Sequence, residues 1–352
     1  MMEGAKSVLI TGGCGFVGLN FLGYLLDRED IHVRVLDNLS VGTREDLERY
    51  LRTKGELSVR GESEKQVDYV LTMAAPPSPP ARSITLLIDD IRSRENMYGL
   101  IGDNEAIVHL AAQTGVIESV EDPFFDFEQN VLGLLNVLEA AVKHKCPAFV
   151  FASSAAPIGN QPPPSREDQA PRPLSPYGAT KLAGEGYCSA FNASFNLPVC
   201  ALRFSNVYGP YSTFKTSVIA QFFRQALHGE TLIIFGDGNQ TRDFVHTHDL
   251  SQAIYRSLAL LLSDGGKKAG GEIFQIATGE ETSINKLFGM IKEMIENGAG
   301  RAVNLEYAPP RAGEIYRNYA DISKAREVLG FAPEIDIETG LRETWEWFRN
   351  TL

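Results

Sequence analysis

The stretch SPYGATK (175–181) sets a phenol and an ammonium four residues apart. Pro176 suits the first turn of a helix, so Tyr177 and Lys181 share one face, a turn apart. A free phenol has a pKa of about 10 and is a weak base at neutral pH. A neighbouring ammonium, or the positive ring of an oxidised nicotinamide, favours the phenolate. Such a pair can take a proton from a sugar hydroxyl, and the lysine can also bond a cofactor ribose. Ser153 and Ser154 end the strand-like AFVFASS (148–154). Residues at the carboxyl ends of parallel strands face the ligand crevice, where Ser154 can bond the same substrate oxygen as Tyr177. Each feature alone has an ordinary structural alternative: a solvated helix face for Tyr and Lys, a cap or turn for the serine.

A second constellation lies at the start of the chain. LITGGCGFVG (9–18) places Gly12, Gly15 and Gly18 where a strand meets a helix, with Phe16 and Val17 opening that helix. Gly12 and Gly15 let the backbone turn and approach a pyrophosphate, and Gly18 allows close packing. The helix N-terminus then aims its free N–H groups at the phosphates. Asp37 ends the next strand, 19 residues after Gly18. A carboxylate there accepts both ribose hydroxyls of adenosine and repels a 2′-phosphate. NAD is expected over NADP.

Elements that alternate between strand and helix must position these residues. SVLIT (7–11), HVRVLD (32–37), ITLLIDD (84–90), AIVHLAA (106–112), AFVFASS (148–154) and VCALRFS (199–205) read as strands. GFVGLNFLGYLLD (15–27), REDLERYLR (44–52), residues 126–144 and 177–195 read as helices. The alternation implies a parallel sheet covered on both faces. Residues 53–83, with prolines at 76, 77, 79 and 80, break the rhythm and read as an exposed, loosely ordered insertion. Beyond residue 206 the alternation loosens into a smaller unit woven with the end of the sheet.

The chain has 352 residues, 43% hydrophobic and 22% charged, with a net charge of -12. That length admits one large domain or two coupled ones. The acidity and the lack of a basic run argue against nucleic acid and anionic membranes as partners. The first residues do not read as a signal peptide, and no stretch approaches the ~20 apolar residues of a membrane span. Cys14, Cys146, Cys188 and Cys200 are scattered without a CxxC, which favours reduced thiols in a cytoplasmic protein. His246, His248 and Asp249 invite a metal reading, but no third or fourth partner is evident and no metal is expected.

Taken in order, GGxGxxG, Asp37-Asn38, Asp90-Ile91, HLAA (109–112), SSAA, YGATK, RFSNVYGP (203–210), TRDFVH (241–246) and RAGE (311–314) span nearly the whole chain. This resembles the extended short-chain dehydrogenase/reductase superfamily and, within it, the NAD-dependent nucleotide-sugar epimerases and dehydratases. The resemblance implies an α/β fold: a Rossmann-type doubly wound parallel sheet with a smaller C-terminal α/β substrate domain. The NAD-binding part would take residues 1–205 plus about 243–280, and the nucleotide-sugar part about 206–242 and 281–352. It implies that Asp90 and Ile91 contact adenine. Leu110, Ala111 and Ala112 would line the cofactor, with Asn38, Asn130 and Phe204 nearby. Asn206 would touch the substrate diphosphate, and Arg242 and Arg311 would hold it from opposite sides, with Glu314 beside them. The alternative for the arginines is surface ion pairing with Asp243 and Glu314. A homodimer is implied through the helices near 120–144 and 177–195.

Five departures refine the expectation. Pro157-Ile158 replaces the family's usual Val-Tyr after the serine pair. Thr114 stands where 4-epimerases commonly have a lysine near the cofactor pyrophosphate. Ala155 and Ala156 replace the Asp-Glu pair of the 4,6-dehydratases, which disfavours elimination. Tyr211 stands where uronate-processing relatives often have arginine, although Lys215 is close. Asn318, in place of a bulky tyrosine, leaves room for a 2-acetamido group. The leading expectation is an NAD-dependent 4-epimerase of a UDP-hexose. Its rivals are a UDP-sugar dehydratase, a uronate epimerase or decarboxylase, a reductase, or an inactive nucleotide-binding regulator.

Overall fold

The computed structural model describes residues 2, 4–73, 81–299, 302–310 and 315–351. Eight strands are β1 (Ser7–Thr11), β2 (His32–Asp37), β3 (Gly55–Glu62), β4 (Gln66–Met73), β5 (Arg82–Ile88), β6 (Glu105–His109), β7 (Phe149–Ser154) and β8 (Val199–Phe204). With the strand Ile273–Ile276 they form one nine-stranded sheet. Its order begins at Ile273–Ile276 and runs β8, β7, β6, β1, β2, β5, β4, β3. Every pairing from Ile273–Ile276 to β5 is parallel. The strand order reverses between β1 and β6, and a crevice opens at their carboxyl ends.

The sheet is not parallel throughout. Residues 55–73 form an antiparallel hairpin that extends its edge through β4 and β5, which corrects the expected loose insertion. The cause is local. In β4, Val67, Tyr69 and Leu71 are buried while their neighbours are not, the period-two pattern of a strand with one face covered. The outermost strand, β3, carries charged residues and a register shift between Val59 and Gly61. Both features discourage further edge pairing. The proline-rich residues 74–80 lie outside the described residues.

Apolar residues bury both faces. One cluster joins the helix Phe16–Leu26 and the long helix Thr247–Asp264 to β1, β2 and β4. The other joins the helices Gly133–Lys143 and Pro176–Phe195 to β6, β7 and β8. A third cluster draws on residues 208–348, including the helices Val218–His228, Ile284–Ala299 and Ile337–Thr351. A short parallel pair, Asn206–Tyr208 with Phe244–His246, continues the chain from β8 toward this third cluster. All four cysteines are buried and unpaired.

Candidate active site

The three glycines meet the geometric demands expected of them. Gly12 turns with φ +68, and a Cβ there would lie 2.7 Å from the Ala111 amide nitrogen. No L side chain fits that conformation and that space without displacing backbone. A Cβ on Gly18 would meet the Gly12 carbonyl oxygen and Gly13 Cα at 2.5 Å, so the helix can seat on the turn only with glycine here. Gly15 is the N-cap of Phe16–Leu26, and its added Cβ would meet only the Gly12 oxygen, at 3.3 Å. The helix N-terminus therefore faces open space flanked by glycine, a cradle suited to a phosphate.

Asp37 closes the adjoining wall. Its carboxylate accepts hydrogen bonds from the backbone N–H of Cys14 and of Leu39, each at 2.9 Å. These bonds aim the group while it lines the cleft. Burial pushes its pKa above the usual carboxylate value, and the two N–H donors oppose that. Asn38, Ile91, Leu110, Ala111, Ala112 and Phe204 line the same cleft. Asp90 is not among the lining residues. Its carboxylate is taken by Arg92 and by the Asn38 amide, and these bonds hold its pKa down at about 2. Ile91, Arg92 and Asp89 form the wall there instead. Asn130 also stands behind the surface. Its side chain accepts from the Gln113 N–H at 2.9 Å and donates to the Gln113 carbonyl at 3.0 Å. It thus fixes the loop after β6, of which Gln113 lines the cleft.

The helix Pro176–Phe195 begins as its sequence implies. Ser175 caps it by accepting from the Gly178 N–H, and Pro176 occupies the first turn. Tyr177 and Ser154 both line the cleft, and the Ser154 hydroxyl bears on the phenol. Lys181 lies deeper. Its ammonium is 4% exposed and donates to the Ala152 carbonyl at 2.8 Å. Burial lowers its pKa to about 8. The phenol departs from expectation. Burial raises its pKa to about 12, the Ser154 hydroxyl opposes this, and Asp126 adds to it. The Lys181 ammonium sits 5.9 Å from the phenol ring centroid, with its hydrogen bond directed elsewhere. The protein's own groups thus leave the phenol protonated, and a positive charge brought by a ligand is what would favour the phenolate.

The third cluster supplies the other wall. Asn206, Arg242, Ile315 and Asn318 line the cleft. Arg242 donates to the carbonyls of Thr241 and Ile315, each at 2.8 Å. Asp243, its neighbour, is fully buried, and its carboxylate accepts from Thr278 and the Gly279 N–H. Arg311 and Glu314 lie outside the described residues. Tyr211 packs its ring against Tyr50 and Trp347. Pro157 and Ile158 are buried in a short turn of helix, so no phenol stands at that position. Lys215 donates to the Thr114 hydroxyl at 3.0 Å. Among the described residues no carboxylate lies within ion-pair distance of it.

Trp347, Arg224 and Gln113 are lining residues that sequence reasoning did not place in the site. Trp347 arrives from the C-terminal helix, and nothing in its local pattern points to a site. The cleft encloses about 1520 Å³, more than the ~300–1,000 Å³ of a single small-molecule site. It has room for a dinucleotide and a second ligand together.

The chain matches the model of the NAD dependent epimerase/dehydratase family over residues 8–277. The chain belongs to that family. It is 36% identical over 347 residues to a putative UDP-glucose 4-epimerase of Methanocaldococcus jannaschii, covering 97% of this chain and 98% of the relative. Among solved structures it resembles the UDP-glucose 4-epimerase of Thermotoga maritima with UDP-glucose. There the TM-score is 0.80 and the identity 31%, with 98% of this chain and 99% of the other covered. It also resembles the UDP-N-acetylglucosamine 4-epimerase of Methanobrevibacter ruminantium in complex with UDP-N-acetylmuramic acid. That match has a TM-score of 0.81 at 28% identity and covers 99% of both chains. NAD is the cofactor of this family member, and the glycine cradle and the Asp37 carboxylate fit it. The fold is the Rossmann-type α/β sheet of these enzymes.

Proposed function

We propose that the chain is a 4-epimerase of a UDP-hexose, interconverting UDP-glucose and UDP-galactose. The observation that carries this reading is the Ser154–Tyr177 hydroxyl pair lining the cleft with only Ala155 and Ala156 after the serine. One phenol can remove the 4-hydroxyl proton and return it, whereas elimination needs a further acid and base. NAD, when bound, supplies the hydride acceptor. Tyr177 takes the proton, Ser154 holds the oxygen, and Lys181 stands behind the pair. Asn206, Arg242 and Arg311 would hold the diphosphate and leave the 4-keto sugar free to present either face to the cofactor site. The cofactor ends as it began, so no net change in nicotinamide absorbance is expected. A reductase would give one.

Asn318 supports acceptance of a 2-acetamido group, hence UDP-GlcNAc and UDP-GalNAc as further substrates. Lys215 favours a second reading, a UDP-uronate, because its ammonium stands in the cleft wall beside a neutral hydroxyl. One experiment separates these. The purified protein is incubated with UDP-glucose, UDP-GlcNAc and UDP-glucuronate, and the products are resolved by chromatography. Turnover of UDP-glucose supports the leading reading; turnover of the uronate alone replaces it; none with any of the three rejects both. We further propose a cytoplasmic homodimer. The buried free thiols support the compartment, and exposed apolar side chains on the helices near 120–132 and 187–195 support the assembly.

A further inference from the structure

Behind the Tyr177–Lys181 pair lies a buried carboxylate that the reaction above does not use. Asp126 is fully buried. One of its oxygens accepts from the Thr180 hydroxyl at 2.7 Å, the other from the Asn130 amide at 3.0 Å. Thr180 is on the catalytic helix, and its hydroxyl also lies 3.0 Å from the Tyr177 carbonyl oxygen. Asn130 in turn grips the cleft loop at Gln113. A π-type turn over Glu128–Leu132 interrupts the helical run from Pro123 to Lys143. That local widening accompanies the placement of Asp126 and Asn130 toward one network. Such turns are frequent at functional sites.

A carboxylate held there has an electrostatic consequence for both neighbours. Its negative charge disfavours a phenolate at Tyr177 and favours the ammonium at Lys181. Burial raises the Asp126 pKa, while the Thr180 hydroxyl and the Lys181 ammonium oppose that. The remaining facing groups are few. The Ser154 hydroxyl on β7 favours the phenolate. Lys181 also meets Lys215 from the segment after Tyr208, and Glu185 and Cys188 from its own helix. His109 on β6 is buried with its pKa lowered to about 3, and so stays neutral. Glu118 acts on Lys215.

We propose that Asp126 is a positioning residue for the epimerase reaction: its carboxylate, locked beneath the catalytic helix by Thr180 and Asn130, sets the pH window in which Tyr177 works. This rests on the reading of Tyr177 as the base, so the test includes a measurement that needs no substrate. The phenol of residue 177 is titrated by its phenolate absorbance, taken as the difference between the protein and its Tyr177→Phe variant, with NAD present. The titration is repeated with Asp126→Asn in both. Loss of the charge lowers the midpoint by about one pH unit. Both limbs of the pH–kcat profile with UDP-glucose move the same way, because the tyrosine and the lysine each lose protons more readily. Asp126→Ser, smaller and also neutral, shows the same shift should asparagine not fit between its two donors. A lower kcat with unmoved midpoints would overturn the proposal and leave Asp126 a structural residue. A shifted phenol titration in a protein inactive on every UDP-sugar would uphold the electrostatic link and reject the epimerase reading.

Discussion

Tyr177 is surrounded by protein groups that keep its proton on, and this shapes what its replacement should do. Tyr177→Phe keeps the ring and its packing and removes only the oxygen. It is expected to lower kcat by about 10²–10⁴-fold while NAD affinity stays within a few-fold, measured by cofactor titration. Lys181 gives a prediction in stability. Its pKa in the folded protein is about 8, against 10.5 for the free side chain. Between those values the unfolded chain holds a proton that the folded one has released. Stability therefore rises with pH across that window, and the burial cost is fully felt below it. Urea unfolding at several pH values should show this rise for the protein and a flatter line for Lys181→Met. At this scale the placement was legible: Tyr177, Ser154 and the three glycines all line the cleft, as their spacing implied. The direction of the lysine was not. An ammonium deprived of water takes the strongest acceptor within reach, here the Ala152 carbonyl, and sequence spacing does not reveal which one that is.

At the scale of elements, the turn around Gly12 is the least tolerant part of the site. Gly12→Ala adds a Cβ against backbone with φ +68, so it is expected to weaken NAD binding by more than about tenfold, or to unfold the turn. Gly15→Ala, with one contact at 3.3 Å, should be milder in the same titration. Another element-level constraint is the tie between the helix Pro176–Phe195 and β8. Arg203 donates two bonds of 2.8 Å to Glu185, which also accepts from Ser153 at 2.6 Å. Both charged side chains are almost fully buried. Glu185→Ala would strand the guanidinium and is expected to cost about 3–5 kcal/mol in chemical denaturation. The alternation of strands and helices was readable because each apolar run has one clear period. The hairpin of β3 and β4 was not, since its polar outer face and the prolines beyond it mask a three-residue alternation in β4. The π-type turn left no trace in the sequence, because a hydrogen-bond shift of one residue needs no unusual residue type.

At the scale of the whole molecule, several exposed apolar side chains among the described residues fall on the helices between residues 116 and 132 and on Pro176–Phe195. Phe124 is 68% exposed and Phe195 55%, with Phe127, Leu132 and Tyr187 also exposed on the same group of helices. A patch of this kind on an acidic, otherwise polar surface favours self-association by a two-fold contact. Sedimentation is expected to give twice the chain mass, and Phe124→Glu should shift it toward the single chain with little loss of NAD binding. The passage from the nine-stranded sheet to the third apolar cluster was partly legible, since the alternation of strand and helix loosens beyond residue 206. The crossing at Asn206–Tyr208 and Phe244–His246 was harder to foresee, because strands of three residues carry too little pattern.

The last strand of the sheet, Ile273–Ile276, covers the edge of β8 although more than sixty residues separate the two in the chain. During translation β8 therefore emerges long before its outer neighbour exists. A nascent polypeptide stalled between those points would carry bare amide and carbonyl groups along one border. Ribosome-bound intermediates of that length should be the ones that engage chaperones, and release beyond residue 276 should end the engagement.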